Sequence, residues 1–447
     1  MPKKRTRYPS WRQGLSEDLG EAFNPEEPLK LNEETLSRLA KTSGAVSKWR
    51  SFQTGSSLLH AVLLWAVGGM SFRMAAAWLA EQGIADVTDE ALRYRCQHMA
   101  PFLKGLLAQA CMLSSLSASS SCDTTIQVLD ASTVDHQKIH LVFDVTKHRI
   151  VGIGIDQAKA GESCDRLAPI SSPSIIIGDM QYGHAAQALR ARERGYHLLA
   201  RSFLTTLHAR CHTSGEPLDI HSLCSEANSN GWVDQRVLLH SRQDQLQVRL
   251  LMIPLPEEAA SKARHRLRQT ALKKRKQEPS ALALRCAGYL TLIFTDLESP
   301  LTRDQLQLLY RARWSIELVF KRLKSIIQLD DLWSGGEILR AVRTLAQLFF
   351  GLLVSMRTLI PRELREGSKA TMASVWRQWS FWRQNLLLLL LAGKLTSWHE
   401  AQPLSSKVLS RLSERTRRAR LSLTHMLFGV ANEVAARLNP RPTSALF

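Results

Sequence analysis

Long apolar runs are scarce in this 447-residue chain, and the longest that the sequence shows are too short to be expected to cross a bilayer. The greasiest runs, Leu345 to Met356 and the leucines Leu386 to Leu391, read instead as buried core helices. The opening MPKKRTRYPSWRQG has cations but no apolar segment, so it is not expected to be a signal peptide. Cysteine is sparse: seven residues, scattered, odd in number and without a CxxC pair. That pattern argues against a disulfide framework and for reduced thiols in the cytoplasm. His208, Cys211, His212, His221 and Cys224 match no common zinc spacing. Ser132 has no GxSxG context for nucleophilic catalysis. Acid is also in short supply, with 40 Asp and Glu against 59 Lys and Arg, a formal charge of +19. An excess of that size favours a polyanionic partner, most often nucleic acid. The cations are clustered, since Lys262 to Lys276 holds eight Lys/Arg and no acid, and Arg411 to Arg420 holds five and one Glu.

Residues 1–30 are rich in Pro, Gly and charge and read as a flexible basic arm. Residues 31–116 are helical in pattern, with Ser71 and Thr88 as caps and glycines as stops. Short helices with glycine turns suit a DNA-binding module, and equally any small bundle. After a Ser/Ala linker the period changes. Thr125 to Asp130, Ile139 to Val145 and Ile150 to Ile155 read as three strands, Asp156 to Leu167 as a short helix, and Ile175 to Asp179 as a fully buried strand. Ala185 to Arg194 reads as a helix and Tyr196 to Arg201 as a further strand. The expected fold is α/β. A core over 122–203 and 288–360 is interrupted by a β-rich insertion over 204–287. A helical region over 361–447 follows, a candidate for dimerisation.

Two aspartates, Asp130 and Asp179, end apolar strands, the sheet edge where α/β proteins bind ligands. A third carboxylate comes from the segment LYRARWSIELVFKRLKS, residues 309–325. On a continuous helix, Tyr310, Arg313, Glu317 and Lys324 fall at about 0°, −60°, −20° and −40°, one narrow strip. Ile316, Phe320, Leu323 and Ile327 form an apolar stripe beside it. Two Asp and one Glu make an oxygen site suited to Mg²⁺ or Mn²⁺, and the strip's cations suit phosphates. The plainer reading stays open: strand-end aspartates are common, and an Arg/Glu/Lys strip is often a solvated face. Trp376, Trp379 and Trp382 recur at helical spacing and read as packing residues.

Tyr-x2-Arg-x3-Glu-x6-Lys, met at Tyr310, Arg313, Glu317 and Lys324, resembles the signature of IS4-family DDE transposases. VLDAST around Asp130 and IIIGDMQYG around Asp179 look like that family's two aspartate segments. The likeness runs from about residue 33 to 360. It implies an RNase H-like core and a cut-and-paste transposase. Asp130, Asp179 and Glu317 would be catalytic and hold two divalent metal ions, Mg²⁺ or Mn²⁺. Tyr310, Arg313 and Lys324 would contact DNA. Relatives stack a flipped base on an aromatic, for which Tyr289 and Trp333 are the candidates. The implied partners are double-stranded transposon ends, with terminal inverted repeats, and target DNA. The protein would act in the bacterial cytoplasm as a homodimer, away from membranes. The residue after Asp179 is Met180, where many relatives carry a cation. Rival readings are an RNase H-like nuclease that does not join ends and a catalytically dead end-binding repressor.

Overall fold

The computed structural model describes residues 32–116, 125–163, 174–241, 244–275, 277–331, 335–358, 374–401, 404–412 and 434. The expected basic arm, the cations beyond Leu412 and Trp333 lie outside the described residues.

Among the described residues five helices come first: α1 (Glu33–Thr42), α2 (Gly55–Ala66), α3 (Phe72–Glu81), α4 (Asp89–Gln97) and α5 (Ala100–Leu116). The expected caps are in place. Ser71 accepts from the Met74 N–H and Thr88 from the Ala91 N–H, each satisfying an otherwise orphan donor. Asp89 and Glu90 occupy the first turn of α4, at the positive end of its dipole. Helix α2 is apolar nearly all round and is buried along its length.

The strands follow: β1 (Thr125–Val134), β2 (Gln137–Asp144), β3 (Arg149–Gln157), β4 (Ser174–Gly178), then α6 (Ala185–Glu193) and β5 (His197–Arg201). The helix expected from Asp156 is not there. Asp156 and Gln157 finish β3, paired with Lys138 and Gln137. The chain then turns, with Ala160 N–H bonded to Gln157 O. Tertiary pairing in the hairpin overrides the helix propensity of a short Gln/Ala/Lys run. The remainder of that expected helix lies outside the described residues.

The insertion is mixed rather than β-rich. Among the described residues it holds α7 (Leu204–Leu207), β6 (Arg210–Cys211), α8 (Ile220–Asn230), β7 (Val233–Ser241), β8 (Asp244–Pro254), α9 (Glu257–Arg275) and α10 (Ala281–Cys286). The basic run from Lys262 is therefore largely helical, carried by α9. The insertion's strands do not form a sheet of their own. β8 pairs with β9 (Tyr289–Phe294), which itself pairs with β5. One nine-stranded sheet results among the described residues, in the order β3-β2-β1-β4-β5-β9-β8-β7-β6. Only β1–β4 and β4–β5 are parallel. Side chains alternate between the faces of a strand. Ile126, Val128, Ile175 and Ile177 join the core beneath the N-terminal helices, while Leu129 and Ile176 join the core on the other face.

Helices α11 (Arg303–Arg311), α12 (Trp314–Ser325), α13 (Glu337–Met356), α14 (Val375–Leu391) and α15 (Ser406–Arg411) follow, with a 3₁₀ turn at Leu395–Glu400. Helix α13 packs on α2, α4, α5, α14 and β3 and ties the N-terminal helices to the sheet. It starts at Glu337, earlier than its greasiest stretch, so it is long and apolar enough to cross a membrane. In the protein 78% of that apolar window is buried, as in a core helix. The leucine run on α14 is only partly buried: Leu386 and Leu390 face the core and Leu388 is exposed. A single helix face can bury only about half of six consecutive residues. Trp379 and Trp382 are core residues, whereas Trp376 is partly exposed near Lys321.

Candidate active site

The parallel register of β1 and β4 builds the site. Val128 pairs with Ile177, an offset of 49, and the same offset carries Asp130 to Asp179. Both residues stand two positions beyond that last pair, so they share its face and level. Asp130 is not at a strand end, contrary to expectation. β1 runs on to Val134 as the partner of β2, and Asp130 pairs with Leu141. What ends at Asp130's level is the parallel partner β4, which leaves room above Asp130.

Each aspartate is anchored through one oxygen. The Ala131 N–H donates to Asp130 Oδ1 at 2.8 Å, and the Gln181 N–H to Asp179 Oδ1 at 2.8 Å. The turn after Asp179 is closely packed. Tyr182 is fully buried beneath it, and Ser202 Oγ donates to Gly183 O at 2.6 Å. Gly183 lies so close to β5 that a Cβ there would meet Arg201 O at 1.7 Å, so only glycine fits.

The strip expected from Tyr310 to Lys324 spans two helices instead of one. Between α11 and α12, the N–H groups of Ala312, Arg313, Ser315 and Ile316 bond three residues back, a tighter 3₁₀ turn. Ala312 and Arg313 keep right-handed helical dihedrals, so the strip continues across the junction. The apolar stripe is buried as expected, at Ile316, Phe320, Leu323 and Ile327. It seats α12 on β1 and β2. Arg313 donates to Glu317, and its Nη1 stands 3.9 Å from Asp130 Oδ2. Glu317, Lys324 and Asp130 line a cleft of about 410 Å³, together with Lys321, Ser132 and Asp330. Tyr310 packs at the edge of the apolar core. Burial pushes its phenol up to about 12, and the nearby Arg313 and Arg201 charges oppose that rise.

Burial raises the Asp130 carboxyl to about 6; the Ala131 N–H and Arg313 pull it down, and the charges of Asp179 and Glu162 push it up. Asp179 is raised by the same desolvation, with Glu162 adding to it. These are carboxylates kept short of solvation and counter-charge. Glu162 follows β3 and was not singled out by sequence. Its ligand oxygen and those of Asp130 and Asp179 all lie within 4.8 Å of one another. A loop acid between two strands leaves no periodic signal. Lys321 was also missed, although the same helical arithmetic puts it at about 20°, on the strip. An all-oxygen, anionic, partly desolvated donor set fits a hard divalent cation such as Mg²⁺ or Mn²⁺. Tyr289 is elsewhere. It is buried in the core on the opposite sheet face, its hydroxyl donating to Cys224 O at 3.2 Å and Asn228 Oδ1 at 3.0 Å.

Two aspartates side by side on a sheet, under a helix bearing a glutamate, form an arrangement that metal-assisted phosphoryl transfer can use. Residues 123–335, which include Asp130, Asp179, Glu317 and the whole Tyr310–Lys324 strip, match the family described as Transposase DDE domain. Over this segment, just under half of its length, the chain is similar to the DDE-domain transposases. It is similar to the InsL protein of insertion sequence element IS186A in Escherichia coli (strain K12), at 24% identity over 317 residues, 67% of this chain and 84% of that one. It is likewise similar to the transposase for insertion sequence element IS421 of Escherichia coli, at 24% identity over 318 residues, with the same coverage.

Proposed function

We propose that the protein cleaves and joins DNA at the ends of an insertion sequence. The observation that carries this reading is the side-by-side pair Asp130 and Asp179, of which Asp130 lines a cleft with Glu317, Lys321 and Lys324. Asp130, Asp179 and Glu317 would hold divalent metal, two ions of Mg²⁺ or Mn²⁺. Bound there, such ions supply an activated oxygen nucleophile and neutralise the charge on the leaving oxygen. The chain's own residues do the rest. Arg313 holds the Glu317 carboxylate in place and adds positive charge beside Asp130. Lys321 and Lys324, on the cleft wall, hold backbone phosphates on either side of the cut. Tyr310, a phenol protonated at neutral pH, donates a hydrogen bond from its hydroxyl to a phosphate oxygen. Hydrolysis breaks the P–O3′ bond, leaving a 3′-hydroxyl on one side and a 5′-phosphate on the other; that 3′-hydroxyl then attacks a second phosphodiester, whose own 3′-oxygen departs as the new P–O bond forms.

The order β3-β2-β1-β4-β5, with β1, β4 and β5 parallel, supports an RNase H-like core. The helices of residues 31–116 serve as the DNA-binding part. Two ends must be held together, so the working form is a homodimer on terminal inverted repeats and target DNA. A net charge of +19 supports this association with DNA in the cytoplasm.

The test uses purified protein, Mg²⁺ and a plasmid carrying the gene's own flanking DNA, with Glu317→Gln in parallel. A released fragment with 3′-hydroxyl ends, absent with the variant, is the expected result. Flank binding without any cut, unaffected by the variant, would overturn the reading and leave an end-binding repressor. Cutting without joined products would leave a nuclease.

A further inference from the structure

Among the described residues, the carboxylate that clusters with the two aspartates is Glu162; Glu317 is not part of that cluster. The ligand oxygens of Glu162, Asp130 and Asp179 all lie within 4.8 Å of one another. Oxygens bound to one Mg²⁺ or Mn²⁺ stand roughly 3 to 4.2 Å apart, given bonds of about 2.1 Å. The three are therefore close to a ligand spacing already. Glu317 is held on the other side of Arg313, which reaches toward Asp130.

The place of Glu162 is fixed from two elements. Lys138 on β2 pairs with its carboxylate at 2.7 Å, and both side chains are largely buried. From α6, Gln187 Nε2 donates to Glu162 O at 3.5 Å, and Arg190 Nη1 to Ser163 Oγ at 3.3 Å. An acid serving only as the partner of Lys138 would gain by turning away from two other carboxylates. This one turns toward them, an arrangement of like charges that is repulsive without a cation. The charges immediately around the three clustered oxygens do not balance. Asp130, Asp179 and Glu162 sum to −3, against +1 from Lys138 and a share of Arg313, which also holds Glu317; Lys321 and Lys324 stand in the cleft with Glu317. Burying an uncompensated surplus is costly, and a divalent cation removes it.

We infer that Glu162 is a metal-binding residue of this site, giving a carboxylate oxygen beside Asp130 and Asp179 from the β3 side, while Glu317 gives one from α12. The inference rests on the reading that Asp130 and Asp179 hold a divalent ion.

The experiment is Mn²⁺ binding to the full chain without DNA, read by electron paramagnetic resonance of the free ion. Wild type is compared with Glu162→Gln, Lys138→Met and Asp130→Asn, and the thermal midpoint of each is taken in chelator. Glu162→Gln is expected to weaken Mn²⁺ at least about tenfold, because losing even a supporting group around a ligand costs that much. Lys138→Met is expected to keep or tighten binding, since it removes a competing cation. Wild-type affinity in Glu162→Gln, with loss in Asp130→Asn, overturns the inference and leaves the metal site standing. Wild-type affinity in Asp130→Asn as well overturns the metal site itself. An equal loss in Glu162→Gln and Lys138→Met also overturns the inference, because the ion pair alone would then be read. Should Glu162→Gln fail to fold, Glu162→Asp replaces it: weaker Mn²⁺ supports the role and unchanged Mn²⁺ overturns it.

Discussion

Arg313 Nη1 stands 3.9 Å from Asp130 Oδ2, while the same guanidinium donates to Glu317 four residues along. One cation therefore spans acids from two elements, the β1 strand and the α12 helix, that the sequence separates by almost 190 residues. A guanidinium is suited to this, since its planar fork stays charged and serves two acceptors at once.

Removing that cation leaves both carboxylates facing each other half-buried. Arg313→Met is expected to destabilise the protein by about 1–3 kcal/mol in chelator, less than a fully buried pair because these groups are partly solvated. Mg²⁺ should restore part of the loss by replacing the missing positive charge. Thermal unfolding with and without Mg²⁺ measures both. A variant as stable as wild type in chelator contradicts the spanning role.

Asp130 gives the site a pH signature. Folded, it keeps its proton up to about 6, whereas an unfolded aspartate releases it near the usual 3.8. Between those values the folded state binds more protons. This group's contribution is thus fully present below about pH 4 and lost as pH rises through 6. The loss amounts to about 3 kcal/mol, at roughly 1.4 kcal/mol per pH unit of difference. In chelator, wild type should fall in stability relative to Asp130→Asn across this window. Parallel profiles for the two proteins would show that Asp130 is not held protonated by burial.

Gly183→Ala probes the turn behind Asp179. The added Cβ would lie 1.7 Å from Arg201 O, so the turn or β5 must move. A cost of about 2–3 kcal/mol or more is expected, as for other overpacked sites. The displaced turn should also lower the stabilisation given by Mn²⁺, measured as the shift of the thermal midpoint on adding the ion. A full wild-type shift would mean that the Asp179 carboxylate does not depend on this turn.

Tyr289→Phe separates packing from DNA contact. It removes a hydroxyl bonded to Cys224 O and Asn228 and leaves the ring in place. Roughly 1 kcal/mol of stability should be lost. The pattern of DNA products should be unchanged, because the ring lies in the core on the face away from Asp130. A changed product pattern, resolved on a denaturing gel, would return Tyr289 to the DNA path.

Much of this was legible in the residues themselves. Local signals were reliable: Ser71 and Thr88 cap where a short polar side chain can meet a free N–H, and buried β4 is SIIIG, apolar on both faces. The Tyr310–Lys324 strip was readable because helical spacing is local geometry, and it survived a 3₁₀ break that no residue announced. The sequence by itself determined which residue types occur at helical and strand spacing, and so the chemistry on offer: two aspartates, a glutamate and a row of cations.

Only the tertiary structure decided which of them meet. Strand register, a pairing between segments 49 residues apart, set Asp130 beside Asp179. Hairpin pairing turned the expected helix at Asp156 into the end of β3 and delivered Glu162 to the aspartates. The same long-range pairing absorbed β7 and β8 into the main sheet and turned Tyr289 inward. Pairing and burial depend on partners distant along the chain, which no local period encodes.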